Sequence, residues 1–205
     1  NLNGFVYVKP LGIYVAKERS LQNHNWKDTH TELFKQGFEM PTPRETWNLL
    51  FYLKDNLSNL EYRKLYDDIL KKTDSGWHGE WQNVVFSGDS NGVYAQRVTG
   101  INKGQLVLSK QEKLEAYLSQ DVFADISNKS NLTSQGLCKT ASSSQSYEQG
   151  KNIYFWYPRN GAVARFVANS VSANLNCNRD PDYSYSSLGV RAIRRAVAKN
   201  NGDKS

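Results

Sequence analysis

The residues best suited to specific contacts form a polar series near the end of the chain. Asn169, Asn174, Asn176 and Asn178 place four asparagines within ten residues. Each carboxamide can both donate and accept hydrogen bonds. Asparagine is disfavoured in β-strands, so strand formation gives no reason for their number. The series therefore predicts a surface that binds a ligand.

Small and apolar residues alternate with this polar series, and successive side chains on a strand point to opposite faces. The alternating set comprises Phe166, Ala168, Ser170, Ala173, Leu175 and Cys177. The alternation shifts by one residue at Val171–Ser172, where a turn or bulge would separate two strands. We therefore expect a two-stranded ribbon with one buried face and one face open to a ligand.

Residue patterns typical of enzymes are missing from the chain. The three histidines, His24, His30 and His78, lie in no metal-binding or nucleophile motif, and we expect them at the surface or in hydrogen bonds. The carboxylate pair Asp67–Asp68 falls on a predicted solvated helix face, and Asp180–Asp182 brackets a proline in a predicted turn. The sequence thus predicts no catalytic residues, no cofactor and no metal site.

Two further clusters have a functional and a structural interpretation. The segment Trp77–Trp81 could stack on a carbohydrate, but two tryptophans at the start of a strand are more often core residues. Arg191, Arg194, Arg195 and Lys199 could contact nucleic acid, but they are also typical of a solvated strand end and tail. The net charge of +6 is a mild bias that is consistent with an anionic partner but is not evidence for one, and nucleic acid is not expected as the partner.

The size and composition predict one folded domain. A chain of 205 residues with 12% aromatic residues can bury a sizeable core. No apolar run approaches the roughly 20 residues needed to span a membrane. Cys138 and Cys177 are the only cysteines; two semi-buried free thiols are the favoured interpretation, and one disulfide is the alternative. The tail at 196–205 is expected to fray.

Local signals predict helices early in the chain and strands late, which gives a mixed α+β domain. Capping-box patterns predict helices that begin at Thr42, at Ser58 (running to about Lys72) and at Ser109. The strand candidates are Phe5–Val8, Gly12–Lys17, Trp81–Phe86, Val93–Thr99, Gln105–Leu108 and Ile153–Tyr157. The polar stretch 127–150 is expected to form a long surface loop.

Two motifs resemble one family of proteins. The pattern Pro181–Ser184 followed by Ser187–Arg191 is similar to the closing signature of the C-type lectin fold, in the subclass of formylglycine-generating enzymes. The helix start at Met40–Trp47 is similar to a helix motif of the same family. The segment 161–191 resembles in particular the variable proteins of diversity-generating retroelements from archaea and their viruses.

The resemblance implies a single lectin-like domain over 1–205 with a variable, ligand-binding region at about 161–191. In such systems, errors made in copying adenines of a template RNA diversify chosen codons, and asparagine codons are a main source of variation. The implied variable positions are Val167, Asn169, Val171, Ser172, Asn174, Asn176, Asn178, Asp182, Tyr183, Tyr185 and Ser186. The implied ligand is a protein or glycan on a cell surface, and the implied location is a virion or cell surface. Alternatives are a fixed structural protein of a virion or cell surface and a diverged enzyme.

Two departures from related patterns argue against oxidase activity and against calcium-mediated sugar binding. The cysteine pair of formylglycine-generating enzymes is missing from Ala162–Ser172, and the Trp-Asn-Asp motif of calcium-dependent lectins is missing from the chain.

We expect Gly189 to hold a position that a side chain would obstruct. Arg165, Arg179 and Arg191 are expected to pair with carboxylates or main-chain carbonyls.

Overall fold

The computed structural model describes residues 2–70 and 76–196, and within them it shows a mixed α+β fold. The helices are α1 (Trp26–Lys35), α2 (Pro43–Asp55) and α3 (Leu60–Leu70). The strands are β1 (Phe5–Val8), β2 (Ile13–Ala16), β3 (His78–Asp89), β4 (Gly92–Gln96), β5 (Val98–Asn102), β6 (Gln105–Leu108), β7 (Glu112–Lys113), β8 (Val122–Asp125), β9 (Asn152–Trp156), β10 (Val163–Ala168), β11 (Ala173–Arg179), β12 (Leu188–Gly189) and β13 (Ile193–Arg195). The predicted α+β class is confirmed, while the expected fraying lies mostly outside the described residues, which end at 196.

The main sheet places β10 at its centre. Its strand order is β7-β4-β3-β10-β11-β9-β8, and the short β12 pairs in parallel with β3. β10 and β11 form an antiparallel hairpin, and β11 runs parallel to β9 on its other side. A separate small sheet joins the two ends of the described chain, with β2 between β1 and β13. Because β3 and β9 flank the hairpin, its position in the sheet is fixed from both sides.

The helix start at Thr42 is confirmed in detail. The Thr42 hydroxyl accepts a hydrogen bond from the Glu45 amide, and the Glu45 carboxylate accepts one from the Thr42 amide. The next helix begins one residue later than predicted, because Asn59 rather than Ser58 caps it; Asn59 Oδ1 accepts from two amides of the first turn. Its predicted end at about Lys72 falls outside the described residues.

The helix predicted from Ser109 is wrong. The Ser109 hydroxyl accepts from the Arg97 amide and donates to the carbonyl of Lys110, so it caps no helix. Glu112 lies in β7, where it pairs with Ala95. Several elements have no counterpart in the sequence analysis: the strands β7, β8 and β12, and the helix α1, which Asn25 caps by accepting from the Asp28 amide.

Helices α2 and α3 cover one face of the main sheet and share its larger core. Trp47 of α2 meets Phe166 of β10 edge to face, with 5.6 Å between the ring centroids. Trp26 and Leu33 of α1 belong to a second buried cluster with Trp81 of β3. None of the helices in the described part of the chain is long and apolar enough to cross a membrane.

The polar stretch 127–150 is only partly a surface loop, which corrects the prediction. Leu132, Leu137 and Cys138 within it are buried in the larger core. The Trp47 indole donates to the carbonyl of Gly136 at 2.9 Å, so the loop closes over α2. Cys138 and Cys177 are both free and fully buried, and burial raises the pKa of both thiols. The free-thiol interpretation is confirmed.

Candidate ligand-binding surface

The β10–β11 hairpin separates its side chains into a buried and an outward set, as the alternation predicts, except that Ser170 of the expected buried set is exposed. The buried set comprises Phe166, Ala168, Ala173, Leu175 and Cys177, each no more than 2% exposed. On the opposite face, Val167 lies across from Asn174 and Arg165 across from Asn176. Since the buried set packs into the larger core, it fixes the outward set in place.

The predicted turn between the two strands is present, and Asn169 builds it. The Asn169 carboxamide oxygen accepts from the amides of Val171 and Ser172 at 2.9 and 2.7 Å. Asn169 therefore has a structural role in the turn. This corrects the expectation that folding explains none of the four asparagines. Val171 stands at the tip with 74% of its surface exposed.

Asn176 also departs from a simple exposed position. It is buried, and its carboxamide oxygen accepts from the Asn178 amide at 3.3 Å. Asn174 and Asn178 are half-buried. Two of the four asparagines thus have a local structural contact, and the remaining two have only their position on the outward face.

A depression of about 370 Å³ opens on this outward face. Its lining residues are Trp156, Arg165, Val167, Asn174, Asn176, Asn178 and Arg179. Trp156 reaches it because β9 pairs with β11, which places Trp156 beside Asn176. Four of the eleven implied variable positions therefore share one concave site, which is hereafter called the central depression.

Two tyrosines after β11 extend the central depression. The Tyr183 ring lies under the guanidinium of Arg179 at 4.4 Å and near that of Arg165 at 5.6 Å. Tyr185, 46% exposed, stacks on Trp77 with 5.1 Å between the ring centroids. These contacts join both tyrosines to the same side of the hairpin.

The two tryptophans of Trp77–Trp81 have different roles. Trp81 is buried and its indole donates to the carbonyl of His24, which confirms the core interpretation for that residue. Trp77 is half-buried beside Tyr185 and 5.3 Å from the Arg165 guanidinium. Sequence reasoning did not select Trp77 as a site residue; its only signal was the possible stacking role of this segment.

Two other implied variable positions, Asp182 and Ser186, lie apart from the central depression. Asp182 is exposed, occupies the predicted turn through its amide bond to Asp180, and forms an ion pair with Lys27 of α1 at 2.9 Å. Ser186 is exposed next to Tyr185. Neither residue lines the depression.

The expected partners of Arg165 and Arg179 are missing, which corrects the prediction for these two arginines. No carboxylate within the described residues forms an ion pair with either, and Nε and Nη1 of Arg165 and Nε of Arg179 have no hydrogen-bond acceptor there. Burial, and then the charge of Arg179, lower the pKa of Arg165 to about 10. The central depression is therefore a region of uncompensated positive charge.

Arg191 behaves as expected. Its buried guanidinium donates to Glu80 at 2.7 Å and to Asp68 at 2.6 Å, and also to the carbonyls of Ala16 and Lys17. These bonds tie the end of the chain to β2, β3 and α3. Asp68 is consequently an ion-pair partner of Arg191, and the prediction of a simply solvated helix face is wrong for it.

Gly189 also behaves as expected. A Cβ atom there would lie 2.6 Å from the carbonyl oxygen of Ser20, closer than non-bonded atoms approach. This close approach brings residues 180–191, hereafter the closing segment, against the loop that precedes α1. Together with Arg191, Gly189 holds the two tyrosines of the closing segment beside the hairpin.

The predicted basic cluster at the end of the chain does not form one patch. Arg191 is buried, and Arg195 forms ion pairs with Glu39 and Glu45. Arg194 is exposed, and Lys199 lies outside the described residues.

The histidines differ from the expectation in two cases, His30 and His78, since His78 Nε2 also has no partner among the described residues. His30 is fully buried between Trp26 and Phe34, and neither ring nitrogen has a partner in the described part of the chain. Burial lowers its pKa to about 3. His24 contacts the carbonyl of Gln22 through Nδ1, as expected of a hydrogen-bonded histidine. His78 is buried, and burial lowers its pKa.

Comparisons with other proteins leave the function to be argued from this geometry. The chain matches no protein-family model, and searches of curated proteins and of solved structures find no match. Across residues 2–70 and 76–196, no three His, Cys, Asp or Glu side chains are grouped so as to hold a metal ion.

Proposed function

We propose that this protein is a ligand-binding protein that displays a diversified surface on a C-type lectin scaffold of the formylglycine-generating-enzyme subclass. The observation that carries the proposal is the division of the β10–β11 hairpin. Residues of the alternating apolar set are buried, while the implied variable positions between them face outward around the central depression. Side chains in the outward set can change without removing volume from the core.

The chemistry of the outward set suits recognition of many ligands. Tyrosine supplies a large, rigid contact area, and asparagine supplies adaptable hydrogen bonds. Tyr183 and Tyr185 border a depression lined by three asparagines. This combination favours a binding role, with a protein or glycan on a cell surface as the ligand, over a catalytic one.

The motifs that suggest the lectin scaffold adopt compatible local structures. The Thr42 motif begins α2, which packs on the hairpin through Trp47 and Phe166. In the closing signature, Leu188 and Gly189 pair with β3, beside β10. The helix motif therefore supports the buried face of the hairpin, and the closing signature pairs with the strand beside β10. A virion or cell-surface location is proposed on the basis of the same resemblance.

Natural sequence variation tests the proposed diversification. We would sequence the codons of residues 161–191 deeply across the natural population of this gene. Substitutions should concentrate at the outward positions, with Phe166, Leu175, Cys177 and Gly189 constant. Absence of variation, or variation spread evenly over buried and outward codons, would reject a diversified surface and favour a fixed structural protein.

Paired alanine variants test the binding role independently. Tyr183→Ala with Tyr185→Ala should abolish attachment of the labelled protein to cells that the parent protein binds, with nearly unchanged thermal stability. The matched control is Tyr7→Ala with Tyr14→Ala, which removes two neighbouring tyrosines on the small terminal sheet, with 4.7 Å between their ring centroids, and should leave attachment intact. Loss of the fold in the first double variant would place these tyrosines in the structural core and refute their assignment to the surface.

A further inference from the structure

Two arginines occupy the central depression without a negative charge beside them. Arg165 pairs across the hairpin with Asn176, and Arg179 pairs with Val163 two residues earlier on β10. Both line the depression and are close enough for the charge of Arg179 to lower the pKa of Arg165. No ion pair within the described chain includes either residue.

Three donor nitrogens of these two arginines are buried and unmatched. Arg165 is only 8% exposed, and its Nε and Nη1 have no acceptor among the described residues; the same holds for Nε of Arg179. Buried polar atoms in native proteins are paired in the great majority of cases, and exceptions often mark a functional site. Two side chains that line the depression therefore carry three donor nitrogens for which the described residues supply no acceptor, which leaves that acceptor for a ligand to supply.

The surrounding rings contact the guanidinium groups of both arginines, and Tyr183 also forms a side-chain hydrogen bond with Arg165. Arg165 lies over Trp77 and Tyr183, and Arg179 lies over Tyr183. Such stacking engages the face of a guanidinium group, whereas its N–H bonds point outward in its plane. The planar arrangement of donors matches the oxygens of a carboxylate, sulfate or phosphate.

The rest of the depression matches a sugar better than an acidic peptide side chain. Its volume of about 370 Å³ lies within the range of small-molecule sites. Asn174, Asn176 and Asn178 offer both donors and acceptors, as the hydroxyl groups of a sugar ring require. Trp156 adds an aromatic side wall.

We infer that Arg165 and Arg179 bind the acidic group of a carbohydrate, a carboxylate or a sulfate, while the neighbouring asparagines contact its hydroxyl groups. This inference rests on the proposed function, since it assigns a ligand class to the same surface. Neither arginine is among the implied variable positions. The cationic anchor is therefore common to all variants of the surface, and the changeable residues around it select among acidic sugars.

Titration of the full chain with small sugars tests the inference. The probes are glucuronate and glucose 6-sulfate, with glucose as the neutral control, followed by tryptophan fluorescence and by amide shifts in NMR spectra. Trp77 and Trp156 lie at the site and should report binding. Both acidic sugars should give saturable changes that localise to β10, β11 and the closing segment, and glucose should give none.

Variants separate specific recognition from net charge. Arg179→Gln should weaken binding of glucuronate by about tenfold or more, because it removes a charge-assisted pair. Arg194→Gln removes the same charge from an exposed site on β13 and should change affinity less than about twofold. Arg165→Lys keeps the buried charge but loses the planar fork, and it should weaken binding by about fivefold or more. Thermal unfolding of each variant checks that the fold is retained.

Several results would overturn the inference. These are equal losses in Arg179→Gln and Arg194→Gln, tighter binding of N-acetylglutamate than of either acidic sugar, or no saturable change with any acidic sugar. The proposed function fails separately. If acidic sugars do not bind but natural variation concentrates at the outward codons, only the ligand class is wrong. If they bind but the codons are invariant, the site is a fixed acidic-sugar site and the diversified surface is refuted.

Discussion

Replacing Arg191 with methionine should destabilise the protein severely, because it leaves a buried carboxylate without its cation. Glu80 is buried, and Arg191 is its only hydrogen-bond donor in the described part of the chain, at 2.7 Å from Nη2 to Oε1. Removing one partner of such a pair costs about 3–5 kcal/mol of unfolding free energy. Since small domains are stable by only about 5–15 kcal/mol, the loss should be visible at once. Asp68 adds less, because its side chain is 45% exposed.

Equilibrium unfolding in urea, followed by tryptophan fluorescence, measures this loss. The matched control is Arg194→Met, which removes the same charge and stem from an exposed position on β13 and should stay within about 0.5 kcal/mol of the parent. A double variant, Arg191→Met with Glu80→Met, should be more stable than Arg191→Met alone, because no unpaired charge stays buried. If Arg191→Met and Arg194→Met unfold at the same urea concentration, the buried ion pair of Arg191 and Glu80 does not stabilise the fold, and our account of the closing segment is wrong.

Three further substitutions test the buried face of the hairpin, the contact between Gly189 and the carbonyl of Ser20, and the buried His30. Leu175→Ala should cost about 2–5 kcal/mol in urea unfolding, because Leu175 is buried, whereas Asn174→Ala on the outward face should stay within about 0.5 kcal/mol. Gly189→Ala should lower the melting temperature, because its Cβ would lie 2.6 Å from the carbonyl oxygen of Ser20. His30 has its pKa lowered from 6.5 to about 3 by burial, so the unfolded chain takes up the proton first. Stability should therefore fall as the pH drops below 6.5, by up to roughly 1.4 kcal/mol per pH unit, and His30→Leu should remove that part of the slope.

Each of these expectations has a clear contrary result. Equal losses in Leu175→Ala and Asn174→Ala would contradict the two-faced hairpin. A melting temperature of Gly189→Ala equal to that of the parent would show that the closing segment can move away from Ser20. An acid slope of His30→Leu identical to that of the parent would mean that other groups alone set the pH dependence.

The sequence predicts the hairpin well because one local rule governs it. Alternation from Phe166 to Cys177 assigns the apolar side chains of both strands to one face, and a strand held between two others has no alternative register that keeps its apolar residues buried. The Thr42 helix is predictable for a similar reason, since its capping box is complete within four residues. Both signals are local, and both survive in the folded chain.

The failed predictions concern signals that tertiary contacts override. Ser109 and Glu112 have the spacing of a capping box, but Glu112 pairs with Ala95 in a sheet instead. The stretch 127–150 is polar in composition, yet Leu137 and Cys138 anchor it in the core. Its many polar atoms are satisfied by turns that no composition reveals. Local pattern alone could not have supplied these pairings.

The arginines show the limit of sequence reasoning most clearly. Arg165, Arg179 and Arg191 receive the same expectation from sequence, but only Arg191 meets carboxylates. The side chains of Arg165 and Arg179 end on one face of the sheet, and that of Arg191 ends on the other. The sequence does not say which acidic residues the folded chain brings to each face. Burying Arg165 without a counter-charge costs stability, and nothing in the fold requires a cation at that point. A cost of this kind is explained if the missing partner belongs to the ligand. A fixed cationic anchor at the centre of a face whose other residues can change would then let a diversified surface retain a basal affinity for acidic ligands while its specificity varies.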